Sequence, residues 1–186
     1  AGNWYPSTVP SSSAYILVDD VNEMKMTNDV SEKYVLIGGT MVSTVRVMRA
    51  MTVGDSVNVA RGGLLFVNDD PGMTISNDLT VGDLGIVAHS DNGTVHTQSM
   101  CLAVLGDVTV VKGGKIDATG RGYLRNYYHG GTYGTAEYGM GGSHGGQGGK
   151  SRSSEHRHPY GTYGLIYTPT NIGSGGRAYA GARTND

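Results

Sequence analysis

The sequence predicts an all-β fold, a right-handed parallel β-helix of about five or six coils with a long lateral loop rich in Gly and Tyr. Three observations predict it: a recurring phrase of valine and paired glycine, short bursts of alternating apolar residues, and 31 glycines among 186 residues. The phrase occupies 35–41, 59–65 and 110–116, and a degenerate copy at 81–87 keeps only the second glycine. Strand-rich repeats of roughly 20 to 30 residues are typical of solenoids.

Bursts of period two predict the individual strands. They are dominated by Val, Ile and Thr, as strands prefer, and they lie at 15–18, 42–47, 57–59, 79–81 and 108–110. Gly, Asp and Asn fill the corners between them. The only helix-like window, 21–33, is interrupted by Asn28 and Asp29, so at most a short turn or capping helix is expected there.

Equivalent strands of a β-helix lie about 4.8 Å apart, so their inward side chains stack in columns. Three columns are expected: Val57, Leu79 and Val108; Val59, Val81 and Val110; and Leu65, Val87 and Ile116. The expected corners are the glycine pairs Gly38 and Gly39, Gly62 and Gly63, and Gly113 and Gly114, where positive φ is needed and a Cβ would clash. A β-sandwich is the alternative, and it predicts antiparallel hairpins.

The composition changes along the chain and suggests its organisation. Residues 1–13, rich in Ser, Pro and Thr, are expected to be an extended arm, either a disordered terminus or a strand that docks on a neighbour. Residues 14–186 are expected to form a single β-solenoid domain, with a Gly/Tyr-rich excursion at 120–170. Candidate contacts between subunits are Trp4, Tyr5 and Tyr179.

One segment resembles a known family. The run 113–123, the glycine-rich run 141–149 and the Tyr-Gly to Gly-Ser-Gly-Gly phrase at 163–176 follow one another as in large extracellular right-handed β-helix proteins of the pectin-lyase-like class, of surface or adhesin type. The resemblance covers 105–177, extends to 35–104 only through the coil pattern, and implies a secreted or surface-exposed scaffold without a known catalytic site. In such proteins more coils usually follow, so either the chain is cut short or another copy supplies the next coil.

Composition excludes several classes of partner. The net charge is −2 and no Lys/Arg cluster stands out, so neither nucleic acid nor an anionic membrane is an expected partner. No stretch is apolar enough to span a bilayer. Cys101 is the single cysteine, which excludes an intrachain disulfide, and it is expected to be a small buried hydrophobe. The chain begins with Ala1 and not Met, which suggests a processed product or a fragment.

Candidate ligand and modification sites are few. His156 and His158 flank an arginine and are weak candidates for zinc or copper. Asp83 and Asp107, expected to repeat in a corner column with Asp55, are weak candidates for Ca²⁺, although turn capping explains them as well. No other cofactor is expected. Asn92 begins the only glycosylation sequon, Asn-Gly-Thr, and weakly favours a secreted surface loop.

The predicted function follows from the ends of a solenoid, whose unpaired strand edges must be capped or used. Because no polar cap is evident at 178–186, we expect an extracellular or cell-surface structural protein, filament-forming or adhesive, that joins its copies end to end by strand addition. The alternative is a polysaccharide lyase, a glycoside hydrolase or a glycan-binding module. Tyrosines that would stack on sugar rings in that case are Tyr123, Tyr127, Tyr128, Tyr133 and Tyr138.

Overall fold

The computed structural model describes residues 15–19, 23–26, 34–68, 72–129, 131–132, 141–149, 162–165, 167–168 and 170–176. These residues form β-strands and no helix, which confirms the predicted all-β class. Accordingly, no helix in this part of the chain is long and apolar enough to span a membrane. The predicted arm at 1–13, with Trp4 and Tyr5, lies outside the described residues, as do Tyr133, Tyr138, His156, His158 and Tyr179.

The strands are short, and most alternate between buried and half-exposed residues as the period-two pattern predicts. In chain order they are β1 Tyr15–Val18, β2 Met24–Met26, β3 Tyr34–Ile37, β4 Ser43–Val47, β5 Met51–Val53, β6 Ser56–Val59, β7 Gly63–Phe66, β8 Met73–Ile75, β9 Leu79–Val81, β10 Ile86–Ala88, β11 Leu102–Val104, β12 Val108–Val110, β13 Lys115–Asp117, β14 Tyr127–Tyr128 and β15 Gly131–Thr132. Strand β2 lies inside the 21–33 window, so the expected turn or capping helix is wrong for Met24–Met26.

Thirteen of the described strands form three parallel sheets. The first sheet has the order β1-β3-β6-β9-β12, the second β2-β4-β7-β10-β13 and the third β5-β8-β11. From β3 onward the chain enters the first, second and third sheets in turn, so each pass adds one strand to each sheet. This arrangement is compatible with a β-helix. The antiparallel pairing that a β-sandwich predicts is limited, in the described part of the chain, to the small β14–β15 pair.

The strand registers confirm the three predicted columns. Val57 pairs with Leu79 and Leu79 with Val108, while Val59, Val81 and Val110 follow two residues later. Leu65, Val87 and Ile116 align in the second sheet. The first copy of the phrase is displaced, however, because Val35 pairs with Val57 and Ile37 with Val59. The copies of the phrase at 35–41 and 59–65 predict that Val35 aligns with Val59, and this alignment is wrong by two residues.

Three corners between strands adopt the same type of backbone turn. In each of 60–63, 82–85 and 111–114, the amide of the fourth residue donates to the carbonyl of the first, over 2.9, 3.0 and 2.8 Å. The third residue has a positive φ, 74° at Gly62, 58° at Leu84 and 94° at Gly113. Glycine adopts this conformation without strain, whereas Leu84 adopts it with a side chain attached.

The fourth residue of each corner is a glycine for a different reason. A Cβ on Gly63, Gly85 or Gly114 would come closer than 3.0 Å to the carbonyl oxygen of Ile37, Val59 or Val81 in the neighbouring strand. Because the clash is with backbone, a side chain there would force adjacent strands apart. This explains why the degenerate copy at 81–87 keeps its second glycine and not its first.

The corner at Gly38 and Gly39 is built differently. Ile37 pairs with Val59 and Ser43 pairs with Gly63. Six residue steps separate Ile37 from Ser43, whereas four separate Val59 from Gly63, so the first corner is two residues longer. The carboxylate of Asp19 accepts hydrogen bonds from the Thr40 hydroxyl and from the amides of Thr40 and Met41. A side-chain cap therefore replaces the tight turn at this level.

The chain divides into two compact units, one of Ala1–Ser90 with Met100–Asp117 and the other of Asp91–Ser99 with Ala118–Asp186. The first unit contains all three parallel sheets and a core of Val, Ile, Leu and Met side chains from β1 to β10. The second unit contains β14, β15 and the glycine-rich segment 141–149. The predicted Gly/Tyr-rich excursion at 120–170 thus belongs to the second unit, together with the loop 91–99.

Candidate interaction edge of the parallel sheets

Strands β11, β12 and β13 are each the last strand of their sheet. Among the described residues, no strand pairs with their outer sides. We call these three strands the β11–β13 edge. Edge strands offer rows of backbone donors and acceptors to another chain, so this edge is the candidate functional site of the first unit.

Apolar columns that are buried inside the sheets become exposed at the β11–β13 edge. In each column, two inner residues are 0% exposed to solvent and the last residue is about half exposed. The last residues are Val108, which is 50% exposed, Val110, which is 45% exposed, and Ile116, which is 47% exposed. The buried residues that precede them in the three columns are Val57 and Leu79, Val59 and Val81, and Leu65 and Val87. Full burial of such a side chain is worth roughly 1.5–3 kcal/mol, so a further layer that covered this edge would be favoured by the hydrophobic effect.

The backbone at this edge is oriented for pairing. The Lys115 amide donates to the Gly85 carbonyl over 3.0 Å, and the Val111 amide donates to the Val81 carbonyl over 2.9 Å. Because successive residues of a strand direct their backbone groups to opposite sides, the amide and carbonyl of Ile116 point away from β10. By the same alternation, those of Val108 and Val110 point away from β9.

Cys101 precedes β11 and is exposed, so the expectation of a buried thiol is wrong. Its carbonyl accepts a hydrogen bond from the Met73 amide over 3.0 Å, which holds the backbone beside β8. Its neighbours Met100 and Leu102 pack against the core. Since side chains alternate along an extended segment, the Cys101 side chain faces the opposite way.

The aspartates predicted as weak calcium ligands take part in local contacts. Asp83 lies at the 82–85 corner and forms a 3.1 Å ion pair with Arg61. The Asp107 amide donates to the Asp78 carboxylate over 2.9 Å, at the corner before β12. Asp83 and Asp107 therefore lie at different corners, and the expected column of Asp55, Asp83 and Asp107 is wrong. Within the described part of the chain, no three His, Cys, Asp or Glu side chains are grouped to hold a metal ion.

Asn92 lies in the second unit and is 5% exposed. Its Nδ2 donates to the carbonyls of Gln98 and Arg121 over 2.6 and 2.9 Å, and its Oδ1 accepts from the amides of Thr97 and Gln98 over 2.8 Å each. A glycan on Nδ2 would replace one donated hydrogen bond and would need space that a buried side chain lacks. In the folded chain these hydrogen bonds make Asn92 the residue that closes its loop, and its glycosylation stays a prediction.

The second unit contains an aromatic cluster of His129, His144 and Tyr163. The Tyr163 ring stacks on His129 at 5.4 Å and meets His144 edge-on at 5.1 Å. The Tyr163 hydroxyl donates to the Ile172 carbonyl over 2.9 Å, and His144 Nε2 lies 3.0 Å from the Asn171 carbonyl. These contacts join 141–149 to 162–165 and 170–176, so the cluster orders the glycine-rich segment.

Two of the tyrosines predicted to stack on sugars, Tyr127 and Tyr128, form β14 and are half-buried. A third, Tyr123, is also half-buried, and desolvation raises the pKa of its phenol above the usual value of 10.0. The three described tyrosines thus do not form an exposed row, which a sugar-stacking face needs.

The uncovered end that is expected at 178–186 lies outside the described residues. In the described sheets, the buried apolar columns end in exposed residues at the β11–β13 edge. Among the described residues, the run 113–123 that opens the family resemblance contains the last parallel strand, because β13 occupies 115–117 and the two strands described after it, β14 and β15, pair with each other. No protein-family model, curated protein or solved structure matches this chain.

Proposed function

We propose that the chain is an extracellular structural protein, adhesive or filament-forming, whose parallel sheets form a right-handed β-helix that joins copies of itself by strand addition. The observation that carries the proposal is the β11–β13 edge. It combines half-exposed apolar side chains with outward-facing backbone groups, and it ends columns that are otherwise fully buried. A second copy supplies both an apolar cover and matching hydrogen bonds.

The extracellular part of the proposal has a separate support. It comes from the resemblance of 105–177 to pectin-lyase-like surface proteins of adhesin type, in which coil phrases lead into a glycine-rich excursion. The order of strands through the three sheets supports the β-helix, because one strand per sheet is added on each pass. The low net charge of −2 supports association with copies of the chain or with neutral glycans over association with a polyanion.

The proposal is tested by sedimentation velocity of the whole chain over a wide concentration range, with negative-stain microscopy of the heavier fractions. We expect species heavier than the 19.5 kDa monomer to increase with concentration. A chain that stays monomeric throughout contradicts the proposed self-association. A monomer that binds or cleaves polysaccharide supports the alternative class of glycan-binding or carbohydrate-active proteins.

A further inference from the structure

We infer that strand β13 pairs antiparallel with β13 of a second copy, so that the β11–β13 edges of two chains meet around a twofold axis. The inference rests on the proposed self-association and adds the partner surface, the strand direction and the register. Three observations carry it: the charges on β13, the orientation of its backbone and the burial at the opposite edge of the sheets.

The charges on β13 are complementary to those on a second β13 that runs antiparallel to it. Its sequence is Lys115, Ile116, Asp117, with a cation before and an anion after the half-exposed Ile116. An antiparallel pair centred on Ile116 places Lys115 opposite Asp117 of the second copy, and Asp117 opposite its Lys115. Opposite charges that face each other across a strand pair are stabilising, and like charges are destabilising.

The backbone orientation selects the same register. Lys115 bonds toward β10 through its amide, so Ile116 directs its amide and carbonyl outward. In the proposed pair, the two Ile116 residues exchange both hydrogen bonds. The Lys115–Asp117 pairs then occupy the non-hydrogen-bonded positions, where Cα atoms are about 4.5 Å apart and side chains approach closest.

Charge alone would also allow β13 to pair with β2 at the opposite edge of a second copy, but the burial of side chains at that edge argues against this pairing. Continuing the registers of the second sheet places Glu23 and Lys25 in the same columns as Lys115 and Asp117. The β2 strand of a second copy therefore also matches β13 in charge. However, the inward side chains at that edge are already buried in the single chain, with Ile16, Val18 and Met26 exposed by 2%, 1% and 4%. The uncovered apolar surface is at β11–β13, which favours pairing of like edges.

Strands β11 and β12, which complete the β11–β13 edge, are compatible with the twofold arrangement. Strand β12 has the sequence Val-Thr-Val and β11 the sequence Leu-Ala-Val, so neither carries a charge. A twofold axis through β13 therefore meets no like-charge contact from these strands. Closed twofold dimers are also the commonest assemblies of identical chains.

The first test reverses one charge. Lys115→Glu places Glu opposite Asp117 in both symmetric pairs, so we expect the dimer dissociation constant in sedimentation equilibrium to rise at least about tenfold. Arg49→Glu, an exposed arginine away from the edge, changes the net charge equally and should leave association unchanged. The double variant K115E/D117K restores opposite charges and should restore dimerisation, with thermal melting as the check on folding.

The second test uses a symmetric crosslink in a Cys101→Ser background. Ile116→Cys places two thiols on residues whose Cα atoms would be about 5.5 Å apart, within disulfide range, so mild oxidation should give a covalent dimer. Leu17→Cys, exposed on β1 at the opposite edge, is the matched control and should remain monomeric. A thiol at position 116 would instead face Met24 if the β2 edge of the second copy were bound.

The outcomes separate the inference from the function on which it rests. A wild-type chain that never associates overturns both. Association that is insensitive to K115E, together with failure of the Ile116→Cys crosslink, overturns the inference and leaves the proposed function standing. Weakening by Glu23→Lys as well as by K115E would assign the contact to β2 and β13, and would also overturn the twofold arrangement.

Discussion

At the corners of the parallel sheets, the absence of a single methyl group decides how closely two strands can approach. Gly63, Gly85 and Gly114 each lie against a carbonyl oxygen of the neighbouring strand, at a distance that leaves no room for a Cβ. The preceding corner residue is less restricted, because Leu84 adopts a φ of 58° where the other corners have glycine. Space, more than backbone conformation, therefore fixes the second glycine.

We expect Gly85→Ala to destabilise the first unit by about 2–4 kcal/mol, since the new methyl group would overlap the Val59 carbonyl and strain the packed strands. Gly82→Ala in the same corner is the matched control. A Cβ there would meet its nearest neighbour, Ala60, at 3.5 Å, an ordinary contact. We expect a change of at most about 0.5 kcal/mol for Gly82→Ala.

Urea unfolding of the two variants, followed by circular dichroism, measures both changes. Equal effects at positions 82 and 85 would contradict the close approach of the corner to β6. The comparison holds the chemical change and the corner constant, so only the space around each Cα differs.

At the scale of the strand, depth within a column determines what a substitution costs. Val59 is fully buried between Ile37 and Val81, whereas Val110 ends the same column and is 45% exposed. We expect Val59→Asp to destabilise the first unit by about 4 kcal/mol or more, because it buries an unpaired charge. Val110→Asp keeps its carboxylate in water and should cost about 1 kcal/mol.

Thermal melting of Val59→Asp and Val110→Asp provides the measurement, at a concentration where the wild-type chain is monomeric. Similar losses of melting temperature would mean that Val110 is covered in solution. A large loss for Val110→Asp alone would contradict the order of strands in the first sheet.

The strands and columns could be predicted because local pattern and strand pairing agree. Alternation marks β1, β4, β6, β9 and β12, and the repeat spacing aligns the later columns correctly. The first corner could not be aligned, because its two extra residues are held by the distant carboxylate of Asp19. Exposure at the edge, including that of Cys101, depends on where the parallel strands end, and an apolar run alone does not encode that.

At the scale of the whole molecule, two units share the chain. The first is a stack of parallel strands whose last members are uncovered, and the second is built from glycine-rich segments joined by hydrogen bonds and aromatic contacts. Self-association through β13 would cover apolar side chains of the first unit that a single described chain leaves half-exposed. Association should therefore protect β12 and β13 and leave the inner strands unchanged.

Hydrogen–deuterium exchange of the whole chain, at a low and a high protein concentration, tests this claim most directly. The amides of Val108, Val110 and Ile116 point outward, so we expect them to exchange rapidly in the monomer and to become protected at high concentration. The inner strands β6 and β9 should be protected at both concentrations. Identical exchange across 108–117 at the two concentrations, in a sample shown to associate, would contradict the use of the β11–β13 edge.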